Sequence, residues 1–273
     1  MGRGFSMQED LLLVDKRDRI CTISLNRPEK RNALSFELLE SLTQVAGSLN
    51  DDLSVRVIVI RGVGDSAFSA GSDIDEVEPI SQEANDGAPV TPGDDWVRLA
   101  TGAIADHRCP VIAMIYGPAI GAGCDLAAAC DIRLAADNAV FGVPPARFGI
   151  FYHPEGIQRL IELVGVATAR EMFFTGDFID ARTAKEIGLV NRVVPAAELE
   201  STTYSMAARI AANAPLTVSG FKRVIAAMAQ DGRLSPESHE MTIEYMHRCL
   251  CSDDLSEGIA AFKERRAPHF SGG

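Results

Sequence analysis

Between Val111 and Cys130 the chain runs from a solid apolar stretch, VIAMI, through a Gly-Pro turn at 117 and 118 into a helix of small residues, GAGCDLAAAC. An uninterrupted apolar strand reads as one covered on both faces. A helix made of Gly, Ala, Cys and Leu can lay its backbone very close to a sheet. Together they imply a layered, mostly parallel α/β core. The β-branched run VRVIVI at 55–60, followed by a glycine-punctuated loop at 62–72, repeats the arrangement.

The rest of the chain fits around that core. Segments 11–16 and 20–25 alternate as strands, and Arg17-Asp18-Arg19 between them predicts a hairpin. Ser35 can cap a helix whose apolar face is Leu38, Leu39, Leu42, Val45 and Leu49. Residues 75–93 are polar and rich in Pro and Gly, a mobile or irregular segment leading into a helix at 96–108 that Pro110 stops. Short strands are expected at 132–135, 139–142 and 190–194, and helices at 156–164, 167–173, 181–187, 196–229, 235–249 and 253–265. The expected organisation is a flexible tail at 1–10, an α/β core at 11–195 and a helical region for assembly at 196–273.

A length of 273 residues suits one large domain, and 47% hydrophobic with 23% charged residues is an ordinary globular balance. The net charge of -12 argues against a dedicated nucleic-acid surface, though a local basic patch can still hold phosphate. The six Cys form no CxxC pair and the five His are scattered, so no metal site is expected. No apolar run approaches the roughly 18 residues of a membrane span. Nor does the N-terminus carry a secretory apolar region. A cytoplasmic protein with reduced thiols is the expectation.

Two loops carry the chemistry. Phe68-Ser69-Ala70-Gly71-Ser72-Asp73 follows the first buried strand, and Ile120-Gly121-Ala122-Gly123-Cys124-Asp125 follows the second. Glycine turns and a helix start both present free N–H groups. Two such loops at neighbouring strand ends can put two N–H donors on one oxygen, an oxyanion hole. Packing around tight turns is the alternative use of the same glycines. Asp125 lies on the same helix face as Ala122, and burial would raise its pKa toward acid–base use. The alternative is a carboxylate satisfying amides near the helix start.

NRPEKRNAL at 26–34, AFSAGSDI at 67–74, PVIAMIYGPAIGAGCDLAAACDIRLAADNAVFG at 110–142 and GDFIDARTAKEIGLVNRVVP at 176–195 resemble the crotonase, or enoyl-CoA hydratase/isomerase, superfamily. The resemblance runs from about residue 10 to the C-terminus. It implies a crotonase-like α/β fold, a layered β-β-α superhelix with a C-terminal helical region. It also implies an enzyme that acts on an acyl-CoA thioester through an enolate, with CoA as part of the substrate, no prosthetic group, and a homotrimer or homohexamer.

Residue by residue, the resemblance implies oxyanion-hole amides at Ala70 and Ala122 and a first acid at Asp125. The second glutamate of a hydratase falls at Pro145, which cannot move a proton. His153 or Glu155, beside Tyr152 in the loop Gly149–Gly156, are the candidate replacements, and a histidine base suits neutral pH. Capping, or a subunit contact, is the alternative role for these groups. Arg27, Lys30 and Arg31 offer charge for CoA phosphates. The backbone of Ala33, Phe68 and Ser69 is expected to frame pantetheine and adenine, with Lys263, Arg265 and Arg266 reaching CoA from the C-terminal helix. Segment 75–108, with Trp96 and Phe148, is expected to shape the acyl pocket. Asp73, His107, Asp131 and Asp137 read as structural. Hydration and double-bond isomerisation are the natural reactions. A divergent CoA-thioester or β-diketone hydrolase, or a non-catalytic acyl-CoA-binding protein, is the alternative.

Overall fold

The computed structural model describes residues 11–76, 93–231 and 235–272. The expected tail at 1–10 and most of the expected irregular segment, 77–92, lie outside the described residues. A six-stranded sheet is ordered β1-β2-β3-β4-β6-β9, with β1 Leu12–Arg17, β2 Ile20–Leu25, β3 Val57–Gly62, β4 Val111–Ile115, β6 Ile132–Ala136 and β9 Arg192–Val194. Only β1 is antiparallel to its neighbour. A smaller sheet joins β5 Pro118–Ile120, β7 Val140–Gly142 and β8 Ile179–Asp180.

Side chains alternate across the main sheet with period two. Ile58, Ile60, Ala113 and Ile115 face one apolar layer, closed by α1 Phe36–Asn50, α2 Gly93–Ala105 and α3 Ala122–Ala129. Val57, Val59, Ile112 and Met114 face the other, against Leu199, Met206 and Ala207 of a later helix. This two-sided burial is why the strand sequences read as solid apolar runs. The small residues of α3 are all buried. A Cβ on Gly123 would lie 2.7 Å from the Ser69 backbone oxygen, so the glycine permits the contact between the two loops.

The remaining helices are α4 Pro145–Phe148, α5 Pro154–Thr175, α6 Ala181–Glu186, α7 Ala196–Ala211, α8 Pro215–Asp231, α9 Pro236–Leu250 and α10 Asp253–Glu264. Two expectations change and one holds. The single helix expected at 196–229 is two, because Pro215 cannot continue α7. The helices expected at 156–164 and 167–173 are both present within α5, separated at Gly165, whose φ of 76° and ψ of 162° are not helical. The Gly-Pro turn is Gly117 alone, at φ 54°, since Pro118 already opens β5. Arg133, though buried, is satisfied by the carbonyls of Leu189, Ala128 and Cys130.

Candidate active site

The two expected loops do meet. Ser69 and Ala119 form a parallel bridge, and the Ile120 N–H donates to the Ser69 carbonyl at 3.0 Å. Gly71 sits against this seam with φ 101°, where a Cβ would come 2.8 Å from the Ile120 oxygen. Beside it opens an apolar cavity of about 290 Å³, bordered by Ser72, Ala122, Pro145, Phe148, Tyr152 and His153 among others.

The amides settle a correction. The Ala70 N–H, expected to face substrate, donates to the Arg31 carbonyl at 3.0 Å. Gly71 N–H donates to the Ser69 hydroxyl at 3.2 Å. Ser72 pairs with Leu34 through the flanking groups Gly71 C=O and Asp73 N–H, so its own N–H has no partner among the described residues. The Ala122 N–H, at the first turn of α3, likewise has none among them. The donors bordering the cavity are therefore Ser72 and Ala122. Ser72 N–H is left over because the parallel bridge to Leu34 uses only the groups on either side of that residue, Gly71 C=O and Asp73 N–H.

Asp125 is fully buried, and its carboxylate does not border the cavity. It is held from two sides. His153 Nε2 lies 2.7 Å from Oδ2. Arg159 brings Nε to 3.1 Å from Oδ1 and Nη2 to 3.1 Å from Oδ2, while Nη2 also donates to Thr101 at 2.8 Å. His153 is the N-cap of α5, and its Nδ1 accepts the Gly156 N–H at 3.2 Å. Glu155, half-exposed, places Oε2 3.3 Å from the same Nδ1. Burial opposes a charge on the ring, but the hydrogen bond and charge of Asp125 outweigh it, and the His153 pKa lies above its ordinary value. Glu155 is lowered, by its own backbone N–H and then by His153.

With Nε2 on Asp125 and Nδ1 on the Gly156 N–H, both ring nitrogens are engaged, and Nδ1, at 3.2 Å from its partner, holds the longer contact. The side chain that borders the cavity is thus His153, with Asp125 behind it. Nothing in the sequence marks Arg159 except its place one turn after Glu155 on the same helix face.

Several expected CoA contacts are otherwise engaged. Arg27 donates to Asp73 at 2.7 Å and to the Ala33 carbonyl at 2.9 Å. Lys30 reaches Asp73 at 3.0 Å and Asp75 at 2.9 Å. Burial of Asp73 is outweighed by these two cations and its pKa is lowered, so it ties down its loop. Phe68 and Ser69 both spend their N–H groups on the Pro118 carbonyl at 3.0 Å, and Ala33 spends its own on Lys30. None of the three borders the cavity. Arg31, exposed and at φ 52°, is the cation of that loop with no side-chain partner among the described residues.

Lys263 borders a separate groove between α8 and α10, and Arg266 is taken by Glu257 and Glu264. Of the expected acyl walls, Phe148 borders the cavity and Trp96 does not; Val97 does. Asp131 accepts the Val111 N–H at 2.7 Å and pairs with Lys222 at 2.8 Å, and Asp137 accepts the Ala196 N–H at 3.2 Å. His107 accepts the Cys109 N–H rather than capping through a carbonyl. Among the described residues no helix is long and apolar enough to cross a membrane, and no cluster of His, Cys, Asp or Glu could hold a metal.

The enoyl-CoA hydratase/isomerase family model matches residues 15–273. A crotonyl-CoA hydratase from Syntrophomonas wolfei is 36% identical over 267 residues, covering 97% of this chain and 99% of that protein. A short-chain-enoyl-CoA hydratase from Clostridium acetobutylicum is 34% identical over 263 residues, covering 95% and 97%. The crystal structure of an enoyl-CoA hydratase from Bacillus anthracis superposes with a TM-score of 0.88 at 34% identity, over 97% of this chain and 100% of that one. The fold is the crotonase-like α/β fold expected from the motifs. The chain belongs to the enoyl-CoA hydratase/isomerase family of enzymes.

Proposed function

We propose that the protein shifts a proton along an acyl-CoA thioester, isomerising a 3-enoyl-CoA to the conjugated 2-enoyl-CoA. One observation carries this reading. An acid–base unit, His153 backed by Asp125, borders the cavity that the Ser72 and Ala122 residues also border, and position 145 in the same lining is proline. Hydration in this family resembles a two-carboxylate reaction. Isomerisation can run on one group that takes a proton and returns it.

The thioester oxygen accepts from the Ser72 and Ala122 N–H groups. His153 Nδ1 gives up its contact with the Gly156 N–H and takes a proton from C2, and the C–H electron pair spreads onto that oxygen as a dienolate. The protonated ring returns the proton at C4, and the double bond re-forms between C2 and C3. No further reactant is needed. Asp125 fixes the ring and stabilises its charge, in place of the direct acid–base role expected for it. Glu155, 3.3 Å from Nδ1, stabilises the charged ring while it carries the proton. The apolar walls exclude water from the enolate and strengthen both amide contacts. Arg31, without a side-chain partner among the described residues, offers its charge to the CoA phosphates.

A second reading, thioester hydrolysis, draws on the same His153–Asp125 pair as an activator of water. One assay separates the readings. A 3-enoyl-CoA is followed for gain of the conjugated thioester absorbance, a 2-enoyl-CoA for its loss, and both for free thiol. Isomerisation faster than either other change is expected. Faster hydration, or thiol release, overturns the assignment. Tight acyl-CoA binding with no exchange of the C2 proton points to a non-catalytic binder.

The helical region 196–273 serves assembly in this reading. Phe221, Leu250 and Phe262 there are large apolar side chains left exposed. A trimer or hexamer is expected by light scattering, and a monomer overturns it.

A further inference from the structure

The Tyr152 hydroxyl donates to the Gly121 carbonyl oxygen at 2.7 Å. That carbonyl and the Ala122 N–H are the two ends of one peptide unit, so a bond at the oxygen acts on the amide that borders the cavity. The same oxygen accepts the Asp125 N–H at 3.0 Å as the first helical bond of α3. Gly121 stands at φ 54°, ψ −123°, with no side-chain cap to set the plane of this peptide. The Tyr152 ring is itself held. It stacks on His153 at 5.7 Å between centroids with 8° between planes, and meets Phe173 edge-on at 5.3 Å.

We propose that Tyr152 is a positioning residue for the oxyanion hole: its hydroxyl orients and polarises the Gly121–Ala122 peptide so that the Ala122 N–H donates more strongly to the substrate's thioester oxygen. A carbonyl that accepts two hydrogen bonds shifts electron density toward oxygen and makes its own N–H a better donor. It also fixes the peptide plane, and with it the direction of the N–H, before the oxyanion forms, which is what a preorganised hole requires. The aromatic stack links this peptide to His153, so donor and base keep a common register. The inference rests on the reading above that Ala122 holds the thioester oxygen.

The test uses butyryl-CoA labelled with carbon-13 at its carbonyl, bound to the intact protein and followed by infrared difference spectroscopy. The wild-type carbonyl band should move to lower frequency on binding. Tyr152→Phe keeps the ring and its stacking but removes the hydroxyl. It should lose about half of that displacement and lower kcat about tenfold, with KM within about twofold. The kcat loss is smaller than the roughly 10²–10³-fold cost of deleting an oxyanion donor outright. Placing 3-fluorotyrosine at 152 gives a more acidic hydroxyl and should enlarge the displacement, an arm that survives if the phenylalanine variant does not fold. A wild-type band that moves while both variants match it overturns the role of Tyr152. A wild-type band that does not move at all overturns the Ala122 reading itself, and this inference with it.

Discussion

His153 Nε2 and Asp125 Oδ2 lie 2.7 Å apart across two helices, α5 and α3, joining the N-cap of one to the first turn of the other. The contact occupies Nε2 and leaves Nδ1, 3.2 Å from the Gly156 N–H, as the nitrogen that can exchange its partner for a substrate proton. His153→Gln keeps a hydrogen bond to Asp125 but has no titratable nitrogen. Turnover should fall by about 10²–10⁴-fold with acyl-CoA affinity largely kept. Steady-state rates and a binding titration check this, and an unchanged rate removes His153 from the chemistry.

Arg159 acts on His153 through Asp125 and, by its charge, lowers the ring's pKa. Removing that charge should raise it. In Arg159→Gln the acidic limb of the rate–pH profile should move to higher pH, whereas Arg159→Lys should leave it near wild type. Ring titration by NMR gives the same quantity without turnover. A limb that stays put, or moves down, refutes the coupling.

Pro145 occupies a cavity wall at the first position of α4, where proline is well tolerated and an acidic side chain would suit the helix dipole. Pro145→Glu should raise hydration of a 2-enoyl-CoA relative to isomerisation by about tenfold or more. Comparing the two rates in one preparation decides it, and an unaltered ratio shows that proline is not what limits hydration.

Gly71 combines φ 101° with a Cβ position 2.8 Å from the Ile120 oxygen. Gly71→Ala should cost about 1–3 kcal/mol and displace the Ser72 amide. Both a lower urea midpoint and a lower kcat are expected. A variant as stable and as active as wild type would mean the loop relaxes freely.

His107 is buried, with Nδ1 on the Cys109 N–H and Nε2 without a hydrogen-bond partner among the described residues. Burial, then the charges of Lys222 and Arg108, push its pKa down to about 4. A ring neutral in the fold but protonated in the unfolded chain contributes stability that is full above about pH 6.5. That contribution is lost as pH falls toward about 4. His107→Asn keeps an acceptor for Cys109 and should flatten the pH dependence of stability in that window. Parallel urea curves for the two proteins at each pH would refute it. His153, raised above its ordinary value, has the opposite sign: its contribution is complete below about pH 6.5 and is lost as pH rises through its folded value.

The fold was legible because its signals are local and repeated. VIAMI, VRVIVI and GAGCDLAAAC can be buried on both sides only in a layered sheet with a close-packed helix. Meeting of the two glycine loops and the structural role of Asp73 also followed from the motifs, and His153, one of the two candidates of its loop, does lie against Asp125. What sequence could not decide was which group is spent and which is free. Ala70 and Ser72 are both small residues in one loop; only the pairing with Leu34 and Arg31 takes the first amide and leaves the second. Arg27 and Lys30 read as free cations until the fold brings Asp73 onto them. Asp125 and Arg159 are 34 residues apart, and nothing local announces that the carboxylate's oxygens meet that guanidinium. Sequence determines which residues are buried and which turns are possible, because those depend on period and composition. Hydrogen-bond partners depend on distances between segments, and only the tertiary structure sets them.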